Sequence, residues 1–214
     1  MNLSFNLENF RTWSPKEPDS ADKPSVKFMP LALRKKLSQL SKLALSLINE
    51  TLEDEQLRGV PVVLSSRHGE SSTIVELLNS IGANEASSPM LFSRSVHNAS
   101  IGLWSIAAGS KAPHISISAM GYSFRAGLIE SLLRLRSEDY DKVLFVYVDD
   151  KVPEEFVQFL AEPLEPYGGA FLLSKGDEIS FSELFSEAKD VSEIEDFKVF
   201  LNFADQVVKT CKVA

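Results

Sequence analysis

The sequence predicts an α/β layered fold built on one central sheet. Two short apolar runs, "VPVVLSS" (60–66) and "KVLFVYVDD" (142–150), have the composition of strands buried on both faces. A third stretch, "HISISAM" (114–120), alternates isoleucine with serine, the period of a strand with two unlike faces. Between these runs lie segments of helical periodicity, so strands and helices alternate along the chain.

The elements follow in order. Residues 14–26, "SPKEPDSADKPSV", hold three prolines among charged and small polar residues and read as an exposed loop. Over 31–50, Leu33, Leu37, Leu40, Leu43, Ala44, Leu47 and Ile48 recur at helical spacing and predict one amphipathic helix. Arg34, Lys35, Lys36 and Lys42 cluster near its start, as a solvated face or as a docking point for an acidic partner. "ESSTIVELLNSIG" (70–82) predicts a helix with Gly82 as its C-terminal cap. "SVHNASIGLWSIAAG" (95–109) predicts a second, buried helix closed by Gly109, whose Ala99, Ser100 and Gly102 let another backbone come close. A helix over 122–136 follows the strand at 114–120, and "GAFLLS" (169–174) closes the series of strands. The remainder, 178–214, reads as a carboxylate-rich helical segment.

Length and composition suit a single domain over 1–214 with ordinary globular character: 44% hydrophobic and 24% charged residues. A net charge of −8 disfavours nucleic acid and membrane surfaces as partners. The one cysteine, Cys211, excludes an internal disulfide framework. The start "MNLSFNLENF" lacks the basic and apolar regions of a signal peptide, so a cytoplasmic protein is expected.

No catalytic set emerges from residue types and spacing. "GYSFR" approaches the G-x-S-x-G nucleophile elbow, but Arg125 replaces the second glycine, and no histidine follows Ser123 to act as base. Ser123 is better read as a helix N-cap. His68, His97 and His114 are scattered, and no paired-ligand spacing occurs, so no metal site is expected. His97, beside Asn98, reads as a structural hydrogen-bonder. The pair Asp149-Asp150 reads as a solvated strand end, and no glycine-rich phosphate loop is present.

From Ser87 to Phe124, "SSPMLFSRSVHNASIGLWSIAAGSKAPHISISAMGYSF", the ordered features are Ser88-Pro89, Asn98, Gly102, Gly109, Pro113, the Ile115–Ile117 strand and the turn at Gly121. In this spacing the chain resembles a β-ketoacyl synthase of the thiolase-like superfamily. More narrowly, it resembles the short N-terminal-domain family that includes chain-length-factor-type subunits of aryl polyene clusters. "VLFVYVDD" and "GGAFLLSKG" resemble later strands of the same half-fold. The resemblance extends over 88–175 and fades over the first 60 residues. It implies a thiolase-like, layered α-β-α half-fold with a central mixed sheet.

The resemblance also implies roles. In active ketosynthases the turn after this strand bears the cysteine that is acylated; here that place falls on Gly121, a degenerate nucleophile position, and Met120 and Tyr122 do not replace it. Active members also need histidines, or a histidine and an asparagine, from a second half; none follows His114. The strand His114, Ile115, Ser116, Ile117, Ser118 and Ala119 would pair across a dimer axis. Met90, Leu91 and Phe92 would line an acyl tunnel or serve as an apolar plug. The implied function is that of a non-catalytic subunit without cofactor of its own. Its partners would be a full-length ketosynthase and an acyl carrier protein presenting the chain on phosphopantetheine. The alternatives are a stand-alone scaffold with the half-fold and, more remotely, a hydrolase using Ser123.

Overall fold

A computed structural model describes residues 3–15, 24–52, 58–137, 139–160, 165–186 and 193–211. Its centre is a five-stranded mixed sheet in the order β1-β5-β4-β2-β3. The strands are β1 (Ser4–Trp13), β2 (Val62–Ser65), β3 (His114–Ile117), β4 (Lys142–Asp149) and β5 (Tyr167–Ser180). β2 runs parallel to β3 and β4, whereas β5 is antiparallel to both β4 and β1.

β4 explains the layers. Its residues from Val143 to Asp149 are all buried, because even and odd positions enter different cores. Leu144, Val146 and Val148 pack with α2 (Gln39–Thr51) and α5 (Ala99–Ala108). Val143, Phe145 and Tyr147 pack with α6 (Ser123–Arg136) and α9 (Glu193–Cys211), through Phe124, Phe197 and Phe200 among others. Gly127 lets α6 approach this closely: a Cβ there would lie 2.6 Å from both the Phe145 ring and the Ser65 Cβ.

Several boundaries differ from the sequence reading, each for a local reason. The expected helix over 31–50 is two: α1 (Leu31–Arg34) and α2, separated where the Ser38 hydroxyl caps α2 by accepting from the Ser41 N–H. Helix α3 (Ser71–Gly82) is not capped by Gly82; it runs through it, and Asn84 takes the left-handed conformation at φ 55°. The 95–109 helix begins only at Ala99 and does end at left-handed Gly109, φ 64°. Of α5, Ser100, Ile101 and Trp104 are buried, while Gly102 and Ile106 face outward, so the helix is one-sided.

Residues 89–94 form a short helix, α4 (Pro89–Arg94), capped by Ser88. β5 is longer than expected and reaches Ser180; α7 (Glu154–Val157) precedes it and α8 (Phe181–Leu184) follows. The carboxylate-rich segment therefore begins in strand, and 187–192 and 212–214 of it lie outside the described residues. Most of the expected 14–26 loop, 16–23, also lies outside them. Among the described residues no helix is long and apolar enough to cross a membrane.

Candidate functional site

The C-terminal ends of the parallel strands β2, β3 and β4 form the functional crest of such a sheet, where turns into helices expose side chains. β3 ends at Ile117, a 3-10 turn spans Met120–Tyr122, and α6 starts at Ser123. The left-handed residue of this turn is Met120, φ 54°, and not the glycine beside it. Ser123 does not cap α6. It is wholly buried as the first helical residue; its hydroxyl accepts from the Ala119 N–H at 2.9 Å and donates to the Met120 carbonyl at 2.8 Å. Both bonds close the turn. Arg125, which breaks the serine-elbow pattern, forms a two-pronged pair with the buried Asp196 of α9 (Nη2 to Oδ1 2.7 Å) and lies over the Phe185 ring at 4.7 Å.

Beside the turn, Asp149 overturns its reading as a solvated strand end. It is 1% exposed. Its Oδ1 accepts from the Ser66 hydroxyl at 2.8 Å and the His68 N–H at 2.9 Å; its Oδ2 accepts from the Arg67 N–H and the Tyr147 hydroxyl, both at 3.2 Å. One carboxylate thereby fixes the loop after β2. The Ser118 hydroxyl donates to the Arg67 carbonyl, tying the end of β3 to that loop. His97 is a structural hydrogen-bonder: its Nε2–H donates to the Ser66 carbonyl at 3.1 Å. Burial pushes His68 below the usual imidazole range, against the pull of Asp149. A second buried carboxylate, Glu70, accepts from Ser38, Ser41 and Thr73 and holds the starts of α2 and α3 together. Glu70 carried no sequence signal, and Asp149 stood out only as one of a pair at a strand end.

A cleft of about 630 Å³ opens between the starts of α2 and α3 and the 150–154 segment. Lys42, Arg94 and Lys151 line it together with Glu76, Asp150 and Glu154, and Arg94 lies 3.9 Å from the Glu76 carboxylate. Burial raises Asp150 above the usual carboxylate range, offset in part by the Lys151 N–H. The cleft does not include the turn. Among the described residues no three His, Cys, Asp or Glu side chains converge on a common point.

β3 lies at one end of the sheet, paired on one side with β2. Ile115 and Ile117 turn to the α6 side and pack there. His114 and Ser116 alternate to the other side; both ring nitrogens of His114 and the Ser116 hydroxyl are buried without a partner. Ser118 and Ala119 lie beyond the strand. Met120 and Tyr122, in the turn after this strand, are exposed, as are Met90 and Phe92 of α4 and Ile106 of α5. Within the 90–92 triplet, Phe92 is 70% and Met90 42% exposed, with Leu91 between buried and exposed.

The family model described as the β-ketoacyl synthase N-terminal domain matches residues 10–207. This chain belongs to that family. The β-ketoacyl synthase N-terminal domain fold also fits its solved neighbours. A ketosynthase (ApeO) in complex with its chain length factor (ApeC) from Xenorhabdus doucetiae is similar at 27% identity and TM-score 0.70, over 82% of this chain and 81% of that one. The ishigamide ketosynthase/chain length factor shares the fold at 15% identity and TM-score 0.63, over 82% of this chain and 63% of that one. A β-ketoacyl synthase from Burkholderia phymatum STM815 shares it at 10% identity and TM-score 0.60. This domain covers 46% of that last chain. No curated protein sequence matches it. The expected thiolase-like half-fold with a mixed central sheet is the one observed.

Proposed function

We propose that this chain is a non-catalytic, chain-length-factor-type subunit that pairs with a full-length ketosynthase and shapes its acyl tunnel. The observation that carries this reading is the turn after β3. It presents Met120, Gly121 and Tyr122, and none of these offers the thiol that takes the acyl chain in active ketosynthases. The ketosynthase would supply the cysteine and histidines. The acyl chain, in the aryl polyene manner a conjugated one, would arrive on the phosphopantetheine of an acyl carrier protein in the cytoplasm.

The surface supports pairing. The outer edge of β3 offers N–H and C=O groups for a strand of a partner, and strand addition fixes register. Exposed apolar side chains in the turn after it, Met120 and Tyr122, are of the kind that pack at an interface. Likeness to a ketosynthase solved in complex with its chain length factor points to the class of partner. Of the tunnel candidates, Phe92 is the most exposed, ahead of Met90. Lys35 and Lys36 are exposed next to Arg34 and would suit an acidic carrier protein. A hydrolase using Ser123 is disfavoured by its burial and by the commitment of its hydroxyl to the backbone.

The test is co-expression with the ketosynthase encoded nearest to this chain, followed by size exclusion with mass determination. A stable one-to-one complex is expected, and Phe92→Ala in that complex lengthens the product. A well-behaved monomer that ignores the ketosynthase would overturn the proposal in favour of a stand-alone scaffold.

A further inference from the structure

Met120 is in a conformation its side chain opposes. Only two described non-glycine residues have a left-handed backbone, Asn84 and Met120. Asparagine tolerates that region because its short polar side chain bonds locally; methionine has no such compensation, and its Cβ crowds the following carbonyl. A glycine is adjacent in sequence, yet Gly121 is not the left-handed residue. Strain of this kind persists only where the surrounding structure holds it, and the Met120 side chain, 80% exposed, supplies no such packing of its own. The offset comes instead from below: the buried Ser123 hydroxyl bonds the backbone at Ala119 and at Met120 itself. The turn is thus a braced apex that holds one flexible apolar side chain out into solvent, with Tyr122, 66% exposed, next to it. It stands directly after β3, at the open end of the sheet.

We infer that Met120 is a preorganised anchor, inserted by this chain into an apolar socket of the ketosynthase subunit. The inference rests on the pairing proposed above. A braced backbone loses little freedom on binding, which lowers the ordering cost of association. An unbranched thioether side chain adapts to a socket it does not share a core with. Gly121 then serves the neighbouring contact by keeping bulk away from the apex.

Three variants separate an anchor from a leftover of an ancestral turn, with affinity for the purified ketosynthase measured by titration calorimetry. Met120→Ala keeps the strain and removes the side chain; Met120→Gly removes both; Met120→Leu keeps apolar bulk. The anchor predicts that Ala and Gly each weaken the complex about tenfold or more, with Leu within a few-fold of wild type. It also predicts that Gly alone raises the melting temperature of the free chain, by about 2–4 °C. A Gly variant that gains stability and binds like wild type would overturn the anchor while leaving the pairing intact. A Gly variant with no gain in melting temperature would overturn the strain argument. Absence of any complex with wild-type chain would bring down the pairing, and the anchor with it.

Discussion

Asp149 carries more of the crest than any other single residue. Four donors converge on a carboxylate that has no cation beside it among its bonded partners. Removing it takes the acceptor from the Ser66 hydroxyl and from two backbone N–H groups in a largely buried place, while the Tyr147 hydroxyl keeps that of Tyr167. Asp149→Ala is therefore expected to cost about 3 kcal/mol or more, read as a fall in melting temperature of roughly 6–12 °C. Asp149→Asn, which keeps the shape and turns one acceptor into a donor, should cost less. Little of this was legible. The donors sit at positions 66, 67, 68 and 147, and only the parallel register of β2 with β4 brings the first three to Asp149. A sequence ending an apolar run with two aspartates looks the same whether the first faces water or four donors. The bonds of Ser123 were hidden in the same way, because capping and turn closure use the same residue type.

Among elements, the pairing of α6 with α9 makes a sharper case. Arg125 is part-exposed and Asp196 is 1% exposed, so loss of the arginine leaves a buried carboxylate unpaired. Arg125→Met is expected to destabilise the chain by about 3 kcal/mol, and adding Asp196→Leu should restore most of that, since an apolar pair needs no desolvation. Chemical denaturation of the single and double variants measures both. The elements themselves were mostly legible where periodicity is uninterrupted: β4 from its continuous apolar run, α6 and α3 from their helical spacing. β1 was not. Register shifts between Phe5 and Asn6 and between Leu7 and Asn9 break its alternation, so Phe5 and Leu7 are buried but the pattern stops there. The break between α1 and α2 was missed because leucines on both sides of Ser38 keep one helical phase.

For the whole molecule, pH is the informative variable. Burial lowers both His68 and His114 below the ordinary imidazole range, and the charge of Arg134 pushes His114 the same way. The unfolded chain therefore binds these protons more readily than the folded one. Their contribution to stability is whole above about pH 6.5 and is lost as pH falls through the lowered values. Asp150, raised by burial, acts in the opposite sense, gaining stability as pH falls toward about 4. Thermal melts from pH 8 to pH 5 should show a falling melting temperature, and His114→Gln should flatten that fall. An unchanged slope in the variant would mean that His114 is solvated in the folded protein. The sheet order belongs to this scale also: the family resemblance conveyed a layered fold with a mixed central sheet, and the order β1-β5-β4-β2-β3 was legible from neither it nor the local pattern.

The sheet closes late. β1 occupies residues 4–13, yet its partner is β5, residues 167–180. On a ribosome the first strand leaves early and then waits through most of translation before the strand it must join exists. β2, β3 and β4 are complete well before that moment, and among the described residues β3 pairs on one side only. Pairings this distant in sequence are slow to form, and unpaired strands are prone to join the wrong chain meanwhile. The nascent protein thus spends its longest vulnerable period with both future borders of the sheet unpaired, β1 awaiting β5 and β3 open on its outer side. Under the pairing proposed above, timely synthesis of the ketosynthase would decide yield as much as assembly.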